Sequence, residues 1–169
     1  MEKVNTRELL VFLGLAAPAL VLPFFVHWQW LTGPIVNAIL VIALFLVGIR
    51  SALVLCLVPS MMALSGGLIP SVLAPIVPFI MLGNIIFVIA IDRSFAYIRN
   101  EKKAYWVGLF VGAFLKFIFL FFSVNVIAKL LIKQELVLKV AQMLSWPQLA
   151  TALSGGMLAW LVLKSLKKI

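Results

Sequence analysis

The sequence predicts an all-α, polytopic membrane protein with six transmembrane helices and cytoplasmic N- and C-termini. Three observations lead there. Of 169 residues, 65% are hydrophobic and 11% are charged, against about 45–50% and about 25% in a soluble domain. A soluble domain of about 150 residues buries only about 70% of the surface its unfolded chain exposes, too little to hide this much apolar area. The apolar residues also fall in long runs, with most charges gathered between them. Finally, the cations sort to one side of those runs, as argued below. Residues 1–169 read as a single integral-membrane domain with no room for a sizeable soluble module.

The first helix covers about 9–26. Ala17-Pro18-Ala19 imitates a signal-cleavage site, but the apolar run continues to Val26 and the flank carries Glu2 and Glu8, so the helix is expected to stay uncleaved. Pro18 and Pro23 predict a kink or early unwinding. Gly14, Ala16, Ala17 and Ala19 form a narrow patch suited to close approach by a partner helix. An outer loop at 27–34 follows, where His27, Trp28, Gln29 and Trp30 mark a headgroup interface and Gly33-Pro34 predicts a turn.

Residues 35–64 are one apolar run interrupted by Gly48-Ile49-Arg50-Ser51. They form either one long helix or two short ones, at 35–48 and 52–64, with a tight turn at Arg50. Charge favours the second. The hairpin puts ten cations inside (Lys3, Arg7, Arg50, Arg93, Arg99, Lys102, Lys103, Lys164, Lys167 and Lys168) and only Lys129, Lys133 and Lys139 outside. That asymmetry is the positive-inside pattern. It accounts for the net charge of +9 without nucleic-acid binding, since the cations end apolar runs and do not form a patch with interleaved aromatics.

The outer loop 65–77 holds three prolines in the stretch through Pro78, and Gly66-Gly67, yet carries no charge. Irregular apolar backbone at membrane depth needs protein or a cavity beside it, which predicts a loop tucked over the bundle mouth; a re-entrant structural segment is the alternative. The fourth helix covers about 78–98 and the fifth 104–128, with Gly108 and Gly112 in a GxxxG close-packing pattern. The outer loop 129–146 shows helical periodicity around Lys129, Lys133, Glu135 and Lys139, as in a surface amphipathic helix. The sixth helix covers about 147–163. ALSGG occurs at 63–67 and 152–156, but its flanks do not align, so it reads as coincidence.

The chemistry available is sparse. Five carboxylates and one histidine form no intramembrane pair, and no HExxH, GxSxG, Walker A or dinucleotide fingerprint is present. The single cysteine, Cys56, reads as a small buried hydrophobe. An enzyme and an ion-driven carrier are both disfavoured, and no cofactor or metal is expected. Lys116 stands out: it lies roughly 18 Å along the fifth helix, near the bilayer middle. A charge there marks a functional site by default, the alternatives being snorkelling or a structural hydrogen bond. Asn37, Asn84, Asn125 and Ser154, with Trp28 and Trp30 above them, are candidates to join Lys116 in an outward-facing pocket. Such a pocket suits a small ligand with an anionic or carbonyl group. For Asn84 and Asn125 the alternative is helix-to-helix hydrogen bonding.

The run Thr32-Gly33-Pro34-Ile35-Val36-Asn37-Ala38, the break at Gly48-Ile49-Arg50-Ser51-Ala52, and the proline-rich loop leading through Leu73-Ala74-Pro75-Ile76-Val77-Pro78 to Gly83-Asn84 resemble the substrate-binding membrane subunits (S components) of energy-coupling factor (ECF) transporters. The resemblance implies an S-component-like bundle in the cell membrane of a prokaryote. It implies capture of a vitamin or precursor at the outer face, under loops 27–34 and 65–77. It further implies docking, chiefly by the first helix, onto a transmembrane coupling subunit driven by two ATPase subunits. The chain lacks the family's AxxxA spacing on that helix, leaving Gly14, Ala16, Ala17 and Ala19 as the expected docking patch. Competing readings are a structural or assembly subunit of a membrane complex, and a small channel or exporter.

Overall fold

The computed structural model describes residues 6–130 and 134–169; Glu2, Lys3 and Lys133, used in the charge and cleavage arguments, lie outside them. All regular structure among the described residues is helical. The helices are α1 (Thr6–Phe25), α2 (Gln29–Leu46), α3 (Ile49–Ser65), α4 (Val77–Tyr97), α5 (Glu101–Leu130), α6 (Gln134–Met143) and α7 (Trp146–Ser165), with a 3-10 segment at Ser71–Ile76 before α4. By length and composition, four stretches are suited to crossing a membrane: Thr6–Phe25, Gln29–Leu46, Ser71–Tyr97 and Glu101–Leu130. Ile49–Ser65 is a shorter apolar helix. Large apolar side chains such as Leu10, Phe25, Phe110, Phe122 and Leu161 are exposed along the flanks, as a lipid-facing exterior requires.

α1 is continuous through Pro18 and ends two residues past Pro23, so the expected unwinding is confined to its end. α2 begins at Gln29, earlier than residue 35, and Gly33-Pro34 lies inside it, not in a turn. The reason is packing. A Cβ on Gly33 would sit 2.9 Å from Thr151 Cγ2 of α7, so this glycine admits a neighbouring helix. The break between α2 and α3 falls at Val47-Gly48. Val47 and Gly48 both donate their N–H to the Ala43 carbonyl, at 2.9 and 3.1 Å, and Gly48 takes φ of +98°, open to glycine at no steric cost. The hairpin reading therefore holds, with Arg50 in the first turn of α3 and not in the turn itself.

The apolar loop after α3 folds inward. Ile69, Leu73 and Ile76 are buried against Leu120 and Ile127 of α5, Val140 of α6 and Leu144. α6 is the amphipathic helix expected in this region, shorter than the whole loop 129–146. α4 and α5 meet at the GxxxG pattern, where a Cβ on Gly112 would lie 2.9 Å from the Phe87 carbonyl. Asn100 starts α5 by accepting the Lys103 N–H on its side chain at 3.0 Å. The two ALSGG copies differ in context: Gly66 and Gly67 end α3, while Gly155 and Gly156 lie inside α7, against α2 and Leu109 respectively. Short connections make sequence neighbours antiparallel. The far ends of α1 and α3, and the starts of α2, α4 and α7, therefore gather at one end of the bundle.

Candidate ligand-binding cavity

That end encloses a partly open cavity of about 270 Å³. Its floor is Lys116 on α5, which is 1% exposed. The ammonium donates to Asn37 Oδ1 of α2 at 2.9 Å and to Asn84 Oδ1 of α4 at 2.8 Å. Nζ also lies 5.7 Å from the centroid of the Phe87 ring, within cation–π range.

Each amide is oriented by its own helix or neighbour. Asn37 Nδ2 donates to the Gly33 carbonyl one turn back, at 2.9 Å. Asn84 Nδ2 donates to the Cys56 carbonyl of α3 at 3.5 Å. Because lysine has no acceptor, both amides must present oxygen to it. The result is one ammonium tying α2, α4 and α5 together, with α3 held through Asn84. A lysine carries three N–H donors and two are used here. Among the described residues the third has no acceptor, and none of those lining the cavity is acidic. Neutral oxygens stabilise the charge without cancelling it, so the cavity floor retains a net positive charge.

The wall and rim are mixed. Ser60 of α3 lines the cavity and is 4% exposed, yet its hydroxyl bonds no described residue. At the mouth, Gln29 and Gln148 direct their Nε2 groups to the same Met143 carbonyl, at 3.4 and 3.1 Å. His27 Nε2 donates to the Gly66 carbonyl at 2.7 Å and fixes the 27–34 region beside the end of α3. Leu68 and Ile69 from the inward-folded loop also face the cavity.

Of the residues expected here, the structure brings together Lys116, Asn37 and Asn84. Four others lie elsewhere. Asn125 is exposed on the outer side of α5. Ser154 turns its hydroxyl back to the Ala150 carbonyl at 2.7 Å. Trp28 is 61% exposed, and Trp30 packs on Trp146 with ring centroids 5.0 Å apart, at the surface. The expected docking patch also divides. Ala16 and Ala19 are buried in the core, whereas Gly14 and Ala17 are exposed, because residues three apart need not share a face with those one or two apart. Ser60 and Gln148 were not anticipated. Cys56 is fully buried, as expected. No family model, curated protein or solved structure matches this chain.

Proposed function

We propose that this chain captures a small organic molecule with an anionic or carbonyl group at the outer face of a cell membrane. In this reading it delivers that molecule inward as the substrate-specific subunit of an ATP-driven uptake transporter of the ECF type. The observation carrying the reading is Lys116, a buried cation at the floor of a cavity, with a spare donor and no counter-charge among the described residues. A charge at this depth is costly unless it is used, and a hydrogen bond to a charged group is worth about 1.5–3 kcal/mol. The cavity is slightly smaller than the usual range of about 300–1,000 Å³, which suits a compact metabolite.

The membrane arrangement proposed with it has six spans, α1 to α5 and α7, with both termini cytoplasmic. Arg7, Arg50, Arg93, Arg99, Lys102, Lys103 and Lys164 then lie at the end opposite the cavity, on the positive-inside face. The partner surface is the outer side of α1, where Leu10, Leu13, Gly14, Ala17 and Val21 are all exposed. A coupling subunit packing there would use the small residues for close approach, and its two ATPase partners would hydrolyse the ATP, this chain being no enzyme. The vitamin-uptake assignment rests on the resemblance in the loops and helix breaks, and the ligand class on the cavity. Mass spectrometry of small molecules co-purifying with the detergent-solubilised chain tests the reading. A bound organic anion released on denaturation is the expected result. An empty chain whose melting temperature no compound raises counts against it and favours the structural-subunit alternative.

A further inference from the structure

We infer that the ligand is a two-ended molecule: a monocarboxylate whose opposite end carries an uncharged N–H or O–H donor, joined by a compact apolar body. This rests on the binding reading above and narrows its ligand class.

The anionic end follows from two unmatched donors. Among the described residues, Lys116 has one N–H without an acceptor, and the Ser60 hydroxyl, 4% exposed and lining the same cavity, has no partner. Ser60 lies four residues, about 6 Å of helix rise, toward the mouth from Cys56. The Cys56 carbonyl is the atom that holds Asn84, and Ser60, Asn84 and Lys116 all line the same cavity. Two donors lining one cavity, from α5 and from α3, match in number the two oxygens of one carboxylate. No described residue of the lining is an acid that would balance a ligand cation, which disfavours amines and quaternary ammonium groups.

The donor end follows from two unmatched acceptors. A backbone carbonyl only accepts, so Gln29 and Gln148 must both aim their amide nitrogens at Met143. Their side-chain oxygens are thereby turned away from it and receive no hydrogen bond from any described residue. Both glutamines line the mouth, so these oxygens await a donor from the ligand. The rest of the lining is mostly apolar, with Val36, Ala63, Ile69 and Ile80, and the Thr32 and Thr151 hydroxyls there already donate to the Trp28 and Gln148 carbonyls. An unpaired ammonium N–H and an unpaired hydroxyl thus sit at one end and unpaired amide oxygens at the other.

The test is thermal-shift and calorimetric titration of the purified full chain with matched compounds on phenyl, indolyl and short alkyl bodies. Each body is presented as the acid with a far-end hydroxyl or N–H, as the acid without it, and as the primary amide that keeps the far-end group but loses the charge. On at least one body the donor-bearing acid is expected to bind about tenfold or more tightly than either relative. Ser60→Ala should weaken that acid about tenfold without changing the melting temperature of the empty chain, because its hydroxyl bonds no described residue. Gln29→Leu with Gln148→Leu should erase the preference for the donor-bearing acid while keeping the preference for acid over amide. Binding of the amide as tightly as the acid on every body overturns this inference and leaves the binding reading standing. No shift with any compound, together with no co-purifying molecule, overturns both.

Discussion

Lys116, Asn37 and Asn84 form one unit, since each amide oxygen owes its buried position to the ammonium between them. Lys116→Met leaves two buried carbonyl oxygens without a donor, each costing about 1–3 kcal/mol. We expect the variant to fold but to be about 2–5 kcal/mol less stable, measured by unfolding in detergent. Replacing all three, with Lys116→Met, Asn37→Leu and Asn84→Leu, removes the unsatisfied groups together and should bring stability back toward the parent. A triple variant that loses the sum of three single losses would show that the residues do not act as a unit. The structural and functional readings of Lys116 are therefore compatible: it ties helices with two donors and offers a third to the cavity. This cluster was legible in the sequence because intramembrane charges and amides are few. Ser60 was not. A helical serine usually bonds the carbonyl a turn back, as Ser154 does, and nothing in the local sequence distinguishes the serine that does from the one that does not.

Helix existence was legible from apolar runs, and the break at Gly48 from the charge that follows it. Helix starts were less so, because Gly33-Pro34 signals a turn in isolation while α7 packs against the same glycine and makes it a helical contact. Glycines whose purpose is contact with a helix distant in sequence look like turn glycines until that helix is placed. Gly155 shows the same effect: a Cβ there would lie 2.6 Å from the Pro34 carbonyl. Gly155→Val should force α2 and α7 apart and destabilise the chain by about 1–3 kcal/mol, read as a lower melting temperature. Gly14 provides the contrast, with nothing within 4 Å of its added Cβ. Gly14→Val should leave the isolated chain within about 0.5 kcal/mol of the parent. If α1 docks a coupling subunit, the same change should reduce co-purification with that subunit; unaltered recovery would move the docking surface off this face of α1.

The molecule as a whole is polar along its axis. One end holds the cavity, the inward-folded proline loop and α6; the other holds the α2–α3 hairpin and the 98–100 connection with its flanking cations. A single long helix over 35–64 would have reversed every later element, so the two-residue break at Val47-Gly48 decides which end carries the cavity relative to Arg7. In the proposed topology the same break decides whether the cavity faces the outside or the cytoplasm, and the proposed uptake role requires the outside. Cysteine labelling reads this directly, because Cys56 is the chain's single cysteine and is fully buried, leaving little background. Trp28 is exposed at the cavity end and Lys102 is exposed at the cationic end. In intact cells a membrane-impermeant maleimide should label a Trp28→Cys chain and spare a Lys102→Cys chain, with both labelled after lysis. The reverse pattern would place the Lys116 cavity on the cytoplasmic side. A receptor for uptake cannot load from there, and the exporter reading would then take precedence.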